Sequence, residues 1–172
     1  MGGSTIRTAR YDPWMADGSP NFGIIQPVHG ITTVDAAIYL QRGAEKFGAC
    51  HIETKHAQWV KNQGCCAPEL VWRKCRHSGT IWSTEEAGKC KIWLPLTPAG
   101  LLVLRYVESK NFWTVVSLYF HQGPLDGQRI RAYSDSMRSS KGTPTFTIAA
   151  LPSQPNVTVK SRRVPLLDGR TK

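Results

Sequence analysis

Apolar residues recur along this chain with two periods, and the change from one to the other divides it. From about Thr33 to Phe47 the spacing is helical. Val34, Ala37, Ile38 and Gln41 fall on one stripe, joined lower down by Ala44 and Phe47. Thr32-x-x-Asp35 has the form of a capping box, and Gly48 stands where a C′ residue would close the helix. A second, shorter helix is expected from Pro68, a favoured first helical position, to about His77 before Gly79. Ahead of both, Phe22 to Thr33 reads as a short strand pair around His29-Gly30.

Beyond Gly79 the period becomes two. Thr80–Ser83 and Lys89–Leu94 read as a hairpin around Glu85-Glu86-Ala87-Gly88. Cys90, Ile92 and Leu94 then face one way, and Lys89, Lys91 and Trp93 the other. Leu101–Val107 and Phe112–His121 form a second hairpin around Ser109-Lys110-Asn111. Both faces of Phe112–His121 are largely apolar, as in a central strand covered on each side. Shorter strands are expected at Arg129–Ser134, Thr145–Ala150 and Asn156–Val164.

The expected fold class is therefore α+β: two short N-terminal helices followed by an antiparallel β-sheet of five to seven strands, as a sandwich or partly closed barrel. Residues 1–22, polar but carrying Tyr11, Trp14 and Phe22, read as an extended arm anchored by its aromatics. Residues 23–172 read as one α+β domain, Cys/His-rich over 48–92 and β-rich and basic over 93–172.

Composition narrows the class. A hydrophobic share of 41% with 20% charged residues excludes a disordered chain, and 172 residues can bury a core without disulfide staples. The longest apolar run, Ile92 to Leu104, is broken by Pro95, Pro98 and Gly100, so no membrane association is expected. No basic-then-apolar leader opens the chain, which places it inside a cell, in cytoplasm or nucleus, or in a virion.

Charge changes the picture more. The net +10 is concentrated: residues 128–172 hold nine Lys/Arg against two Asp/Glu, a net of +7. Such a segment attracts phosphate backbones, with a strength that fades as salt rises. Six tryptophans accompany it, four of them (Trp59, Trp72, Trp82, Trp93) in or beside the cysteine-rich window. A ring flanked by lysines suits stacking on an unpaired base while ammonium groups hold phosphates. The expected nucleic-acid surface comprises Lys89, Lys91 and Trp93, extended by Arg73, Lys74 and Arg76 on the second helix. Arg129, Arg131, Lys160, Arg162 and Arg163 form a further patch.

All five cysteines lie between positions 50 and 90, together with His51, His56 and His77. In a chain without an export signal this argues against a disulfide framework. One structural zinc is expected on Cys50, His56, Cys65 and Cys75, with Cys66 or His77 as substitutes, although no C-x-x-C pair is present.

The segment Val60-Lys61-Asn62-Gln63-Gly64-Cys65 resembles the run leading to the nucleophile of papain-like cysteine proteases. That resemblance spans about six residues and implies Cys65 or Cys66 as nucleophile, at a helix start that lowers a thiol pKa, with His121 as its base. The family continues with a Gly-Ser-Cys-Trp type segment, where this chain has Cys66-Ala67-Pro68-Glu69.

The leading expectation is a non-enzymatic, basic accessory protein that binds RNA or single-stranded DNA, with a viral or mobile-element character suggested by its compact, Trp- and Cys-rich composition. A coat or particle subunit that self-associates, and the cysteine protease, are the alternatives.

Overall fold

The structure, a computed structural model, describes residues 9–86, 89–96, 100–122, 124–134 and 142–149. The strand expected over 156–164 lies outside them. Three strands precede the helical region: β1 (Trp14–Ala16), β2 (Gly23–Ile25) and β3 (Ala36–Tyr39). Three short helices follow, α1 (Gly48–Lys55), α2 (Ala57–Asn62) and α3 (Ala67–Cys75). The chain then runs through β4 (Gly79–Glu86), β5 (Lys89–Leu96), β6 (Gly100–Val107), β7 (Phe112–Tyr119), β8 (Gln128–Tyr133) and β9 (Phe146–Ile148). The protein is mostly β, and the expected order of two helices ahead of the sheet is wrong because strands come first.

The segment expected as the first helix is β3 and its flanks. Ala36, Ile38 and Leu40 are buried, with the less buried Ala37 and Tyr39 between them, a period of two. Thr32 Oγ1 caps nothing helical. It accepts from Val34 N at 3.2 Å and donates to Val34 O at 2.9 Å, closing a local turn. Gly48 opens α1 instead of ending a helix.

Seven strands form one sheet in the order β2-β3-β7-β6-β5-β4-β8, and β1 pairs with β9 in a small second sheet. β4 to β7 form a meander, whereas β3 runs parallel to β7. The sheet is thus mixed, not purely antiparallel as expected. Register shifts between Ile81 and Trp82 and between Val103 and Leu104 bend it. It curls until its edges meet. The Arg131 guanidinium on β8 donates to Pro27 O at 3.2 Å and to Gln26 Oε1. A Cβ on Gly23 of β2 would lie 2.9 Å from Tyr133 Oη. Neither edge is then a free ladder open to pairing with other chains along that seam.

The core lies on the helix side of the sheet. Ile81, Leu94, Leu102, Leu104, Trp113, Val115 and Leu118 pack there with Leu70, Val71 and Cys75 of α3, Ile52 of α1 and Val60 of α2. α3 forms where Pro68 predicts it, and Tyr133 Oη donates to the carbonyl of its last residue, Cys75, at 2.7 Å.

Candidate nucleic-acid interface

Residues opposite one another across a ladder share a face. Tyr39 of β3 pairs with Thr114 of β7, and Thr114 with Arg105 of β6. The backbone register continues to Lys91 and Thr84. A second row is Ala37–Phe112–Val107. A third is Arg129–Trp82–Trp93–Val103–Ser117. Alternation sets Tyr39, Arg105, Trp82, Trp93 and Arg129 on the face opposite Ile38, Leu104 and Leu94, with Phe112 and Thr114 buried within that face and Ser117, at the far end of the third row, covered by His56. Rings and cations from six strands therefore lie on one face of the sheet.

Residues 10–13, ahead of β1, and the chain just after β3 fold over one end of this surface. Pro13 bridges to Gln41, Arg42 N donates to Asp12 O, and Gly43 N donates to Arg10 O, so residues 10–13 run beside 41–43 as a ribbon. Tyr11 and Phe47 stack at 5.8 Å, and Tyr39 and Phe112 at 4.8 Å. These pairs, with Arg105, Lys110 and Val116, line a cavity of about 520 Å³, within the range of small-ligand sites. Its floor holds a fixed polar pair: Thr114 Oγ1 donates to Gln41 Oε1 at 2.9 Å, and Gln41 Nε2 donates to Tyr11 O at 3.1 Å. Asn111, left-handed at φ +50°, closes the tight β6–β7 turn and accepts from Tyr106 Oη. That turn sets Lys110 at the rim.

Among the described residues neither Arg105 nor Lys110 forms an ion pair. The Nε of Arg105 is buried with no hydrogen-bond partner, as are the indole Nε1 atoms of Trp82 and Trp93. A buried donor left unpaired costs about 1–3 kcal/mol.

The chain matches no protein-family model, no curated protein and no solved structure. Among the described residues no helix is long and apolar enough to cross a membrane.

The expected site residues divide. Trp93 and Arg129 lie on the ring-bearing face, with the backbones of Lys91 and Lys89 in its strands. The helix cations do not extend it, because α3 packs on the core face. Arg73 pairs with Glu69, and the Arg76 guanidinium sits 4.7 Å over the Trp72 ring. Lys74 is only 6% exposed against Gly100, and burial lowers its pKa while the neighbouring Cys65 thiol acts the other way. Arg131 is held by the edge seam. Lys160, Arg162 and Arg163 lie outside the described residues.

The four expected metal ligands are not gathered. Cys50 is exposed on α1, Cys65 is half-buried before α3, and Cys75 is buried in the core. Among the described residues no three His, Cys, Asp or Glu side chains form a metal-sized group. Nor does a hydrogen bond join Cys65 or Cys66 to His121. Burial pushes the Cys65 thiol up, the opposite of an activated nucleophile, and Cys66 is exposed at the α3 N-cap. His121 Nε2 is buried and unpartnered, its ring edge-on to Tyr119 at 6.4 Å.

His56 does something else. It stacks on Tyr119 at 5.2 Å, its Nε2 lies 3.2 Å from Ser117 Oγ, and His51 meets it edge-on at 5.7 Å. Burial first, and the His51 charge second, hold its pKa below the ordinary value near 6.5. The folded state thus binds fewer protons here than the unfolded chain. Stability rises with pH through the window below about 6.5 and is fully present above it. The urea midpoint is expected to fall as pH drops from about 7.5 to 5.5, and His56→Phe, which keeps the stack, should flatten that fall. An unchanged slope in the variant would assign the effect to other histidines.

Proposed function

We propose that this chain binds single-stranded nucleic acid, RNA in the first instance, along the sheet face that bears Tyr39, Phe112, Arg105, Trp82 and Trp93, and that it serves as a binding protein and not a catalyst. One observation carries this: register brings aromatic rings together with Arg105, which forms no ion pair among the described residues, on the sheet face away from the core, beside a cavity of about 520 Å³. Stacked rings contribute about 1–3 kcal/mol per base with little regard to sequence, while arginine and lysine neutralise the backbone. The chain's net charge of +10 adds a long-range attraction to the same ligand.

Titration with a single-stranded oligonucleotide in low salt should quench tryptophan emission, since Trp82 and Trp93 lie on the contacted face. Three or four neutralised phosphates would give a log–log salt slope of about −2 to −3. Arg105→Ala and Trp93→Ala should each weaken binding about tenfold, with thermal melts showing the fold intact. Absence of binding to RNA and single-stranded DNA at about 50 mM salt would refute the proposal.

A further inference from the structure

The geometry points to a specific occupant of the cavity: a nucleotide carrying a phosphomonoester, its base between the ring pairs and its phosphate on Arg105 and Lys110. This deepens the single-strand proposal and rests on it. Two observations select a terminal nucleotide over an internal one. The ribbon of residues 10–13 against 41–43 lines the cavity on the β3 side, its Tyr11 carbonyl tied down by Gln41 Nε2, so a strand entering from the open sheet meets hydrogen-bonded backbone there. And Arg105 and Lys110, neither ion-paired among the described residues, both line the one cavity. An internal phosphodiester brings one negative charge. A monoester brings about 1.5 to 2 at neutral pH, because its second ionisation lies near pH 6. Among the described residues Arg105 forms no ion pair, and its Nε has no hydrogen-bond partner, so no acid competes for the guanidinium.

The shared chemistry, a nucleoside monophosphate, has two sources: the phosphorylated end of an RNA, or a free mononucleotide. The test uses the full chain and an RNA of about ten nucleotides bearing a 5′-phosphate, a 3′-phosphate or hydroxyls at both ends. One phosphorylated form should bind about tenfold more tightly than the hydroxyl-ended RNA. That ratio should grow between about pH 5.5 and 7.5 as the monoester ionises, a comparison in which any pH effect on the protein cancels. Arg105→Gln and Lys110→Gln should each bring the ratio close to one. Adenosine or uridine monophosphate competing away the phosphorylated RNA identifies a free nucleotide as an occupant. A retained end preference without such competition identifies the RNA terminus, and either result supports the shared chemistry. Equal affinity for phosphorylated and hydroxyl-ended RNA overturns this inference and leaves the sheet-face proposal standing, whereas failure of every RNA to bind overturns that proposal itself.

Discussion

Trp113→Ala is expected to destabilise the protein by about 3–5 kcal/mol, the largest loss from any single core position. Trp113 is fully buried on β7, with Ile38 of β3 on one side and Tyr106 of β6 on the other, its ring 4.9 Å from that of Tyr106. It therefore fills the joint between the parallel pair and the meander, where neither strand can collapse inward to close a void. A domain of this kind has about 5–15 kcal/mol in hand, so the truncation would remove a large share of it. Its indole Nε1 has no acceptor. Trp113→Phe then removes an orphan donor together with some apolar area, two changes of opposite sign, and should cost less than about 2 kcal/mol. Urea unfolding followed by far-UV circular dichroism separates the two. Similar losses in both variants would mean that the cavity term is not what holds this joint.

Gly43→Ala comes next, at about 3 kcal/mol or more, through backbone overlap instead of lost contact. Gly43 has φ +79°, and a Cβ there would lie 2.0 Å from Phe47 O and 2.7 Å from Gly48 Cα. The loop cannot yield easily. Ala44 N donates to Phe47 O at 2.9 Å, and Ala49 N to Gln41 O at 3.0 Å, so both ends are tied. Gly30→Ala is the control. Its φ is the same, but nothing lies within 4 Å, and about 1 kcal/mol of conformational strain is all that is expected. Because this loop holds Phe47 and Gln41, Gly43→Ala should also abolish oligonucleotide binding at temperatures where the remaining fold persists. Equal melting losses in the two variants would show that the overlap relaxes.

The meander was legible because its pattern is unambiguous. Alternation from Gly79 to Tyr119, with turn residues between the runs, admits little but strands. The β3 region was not, because Val34, Ala37, Ile38 and Gln41 fit a helical stripe as well as Ala36, Ile38 and Leu40 fit a strand. What decides is pairing with β2 and with β7, the latter some seventy residues away, which no local pattern carries. Val34, assigned to the buried stripe, is in fact exposed. The same error hid the candidate site. With Tyr39 and Gln41 assigned to a helix, nothing put them beside Phe112, Thr114 and Arg105. The helices at Gly48–Lys55 and Ala57–Asn62 were missed for a different reason. Ala49, Ile52 and Val60 give an apolar stripe, but the cysteines and histidines among them draw attention as ligands. Strand alternation turned Trp93 away from the core-facing Leu94, as the register does, whereas the α3 cations were joined to it by nearness in sequence, which the packing of that helix on the core side does not honour.

The parallel β3–β7 pair has a consequence for synthesis. The meander needs only its immediate neighbours and can form hairpin by hairpin as it leaves the ribosome. β3 leaves early yet finds its partner only after Thr114 has emerged, and β1 waits longer still, for Ile148. For most of translation the N-terminal third therefore holds apolar residues such as Ile25, Ile38 and Leu40 without the meander strands that complete their core. A nascent chain in that condition is a natural client for chaperones, and one whose yield depends on how quickly the ribosome delivers its second half.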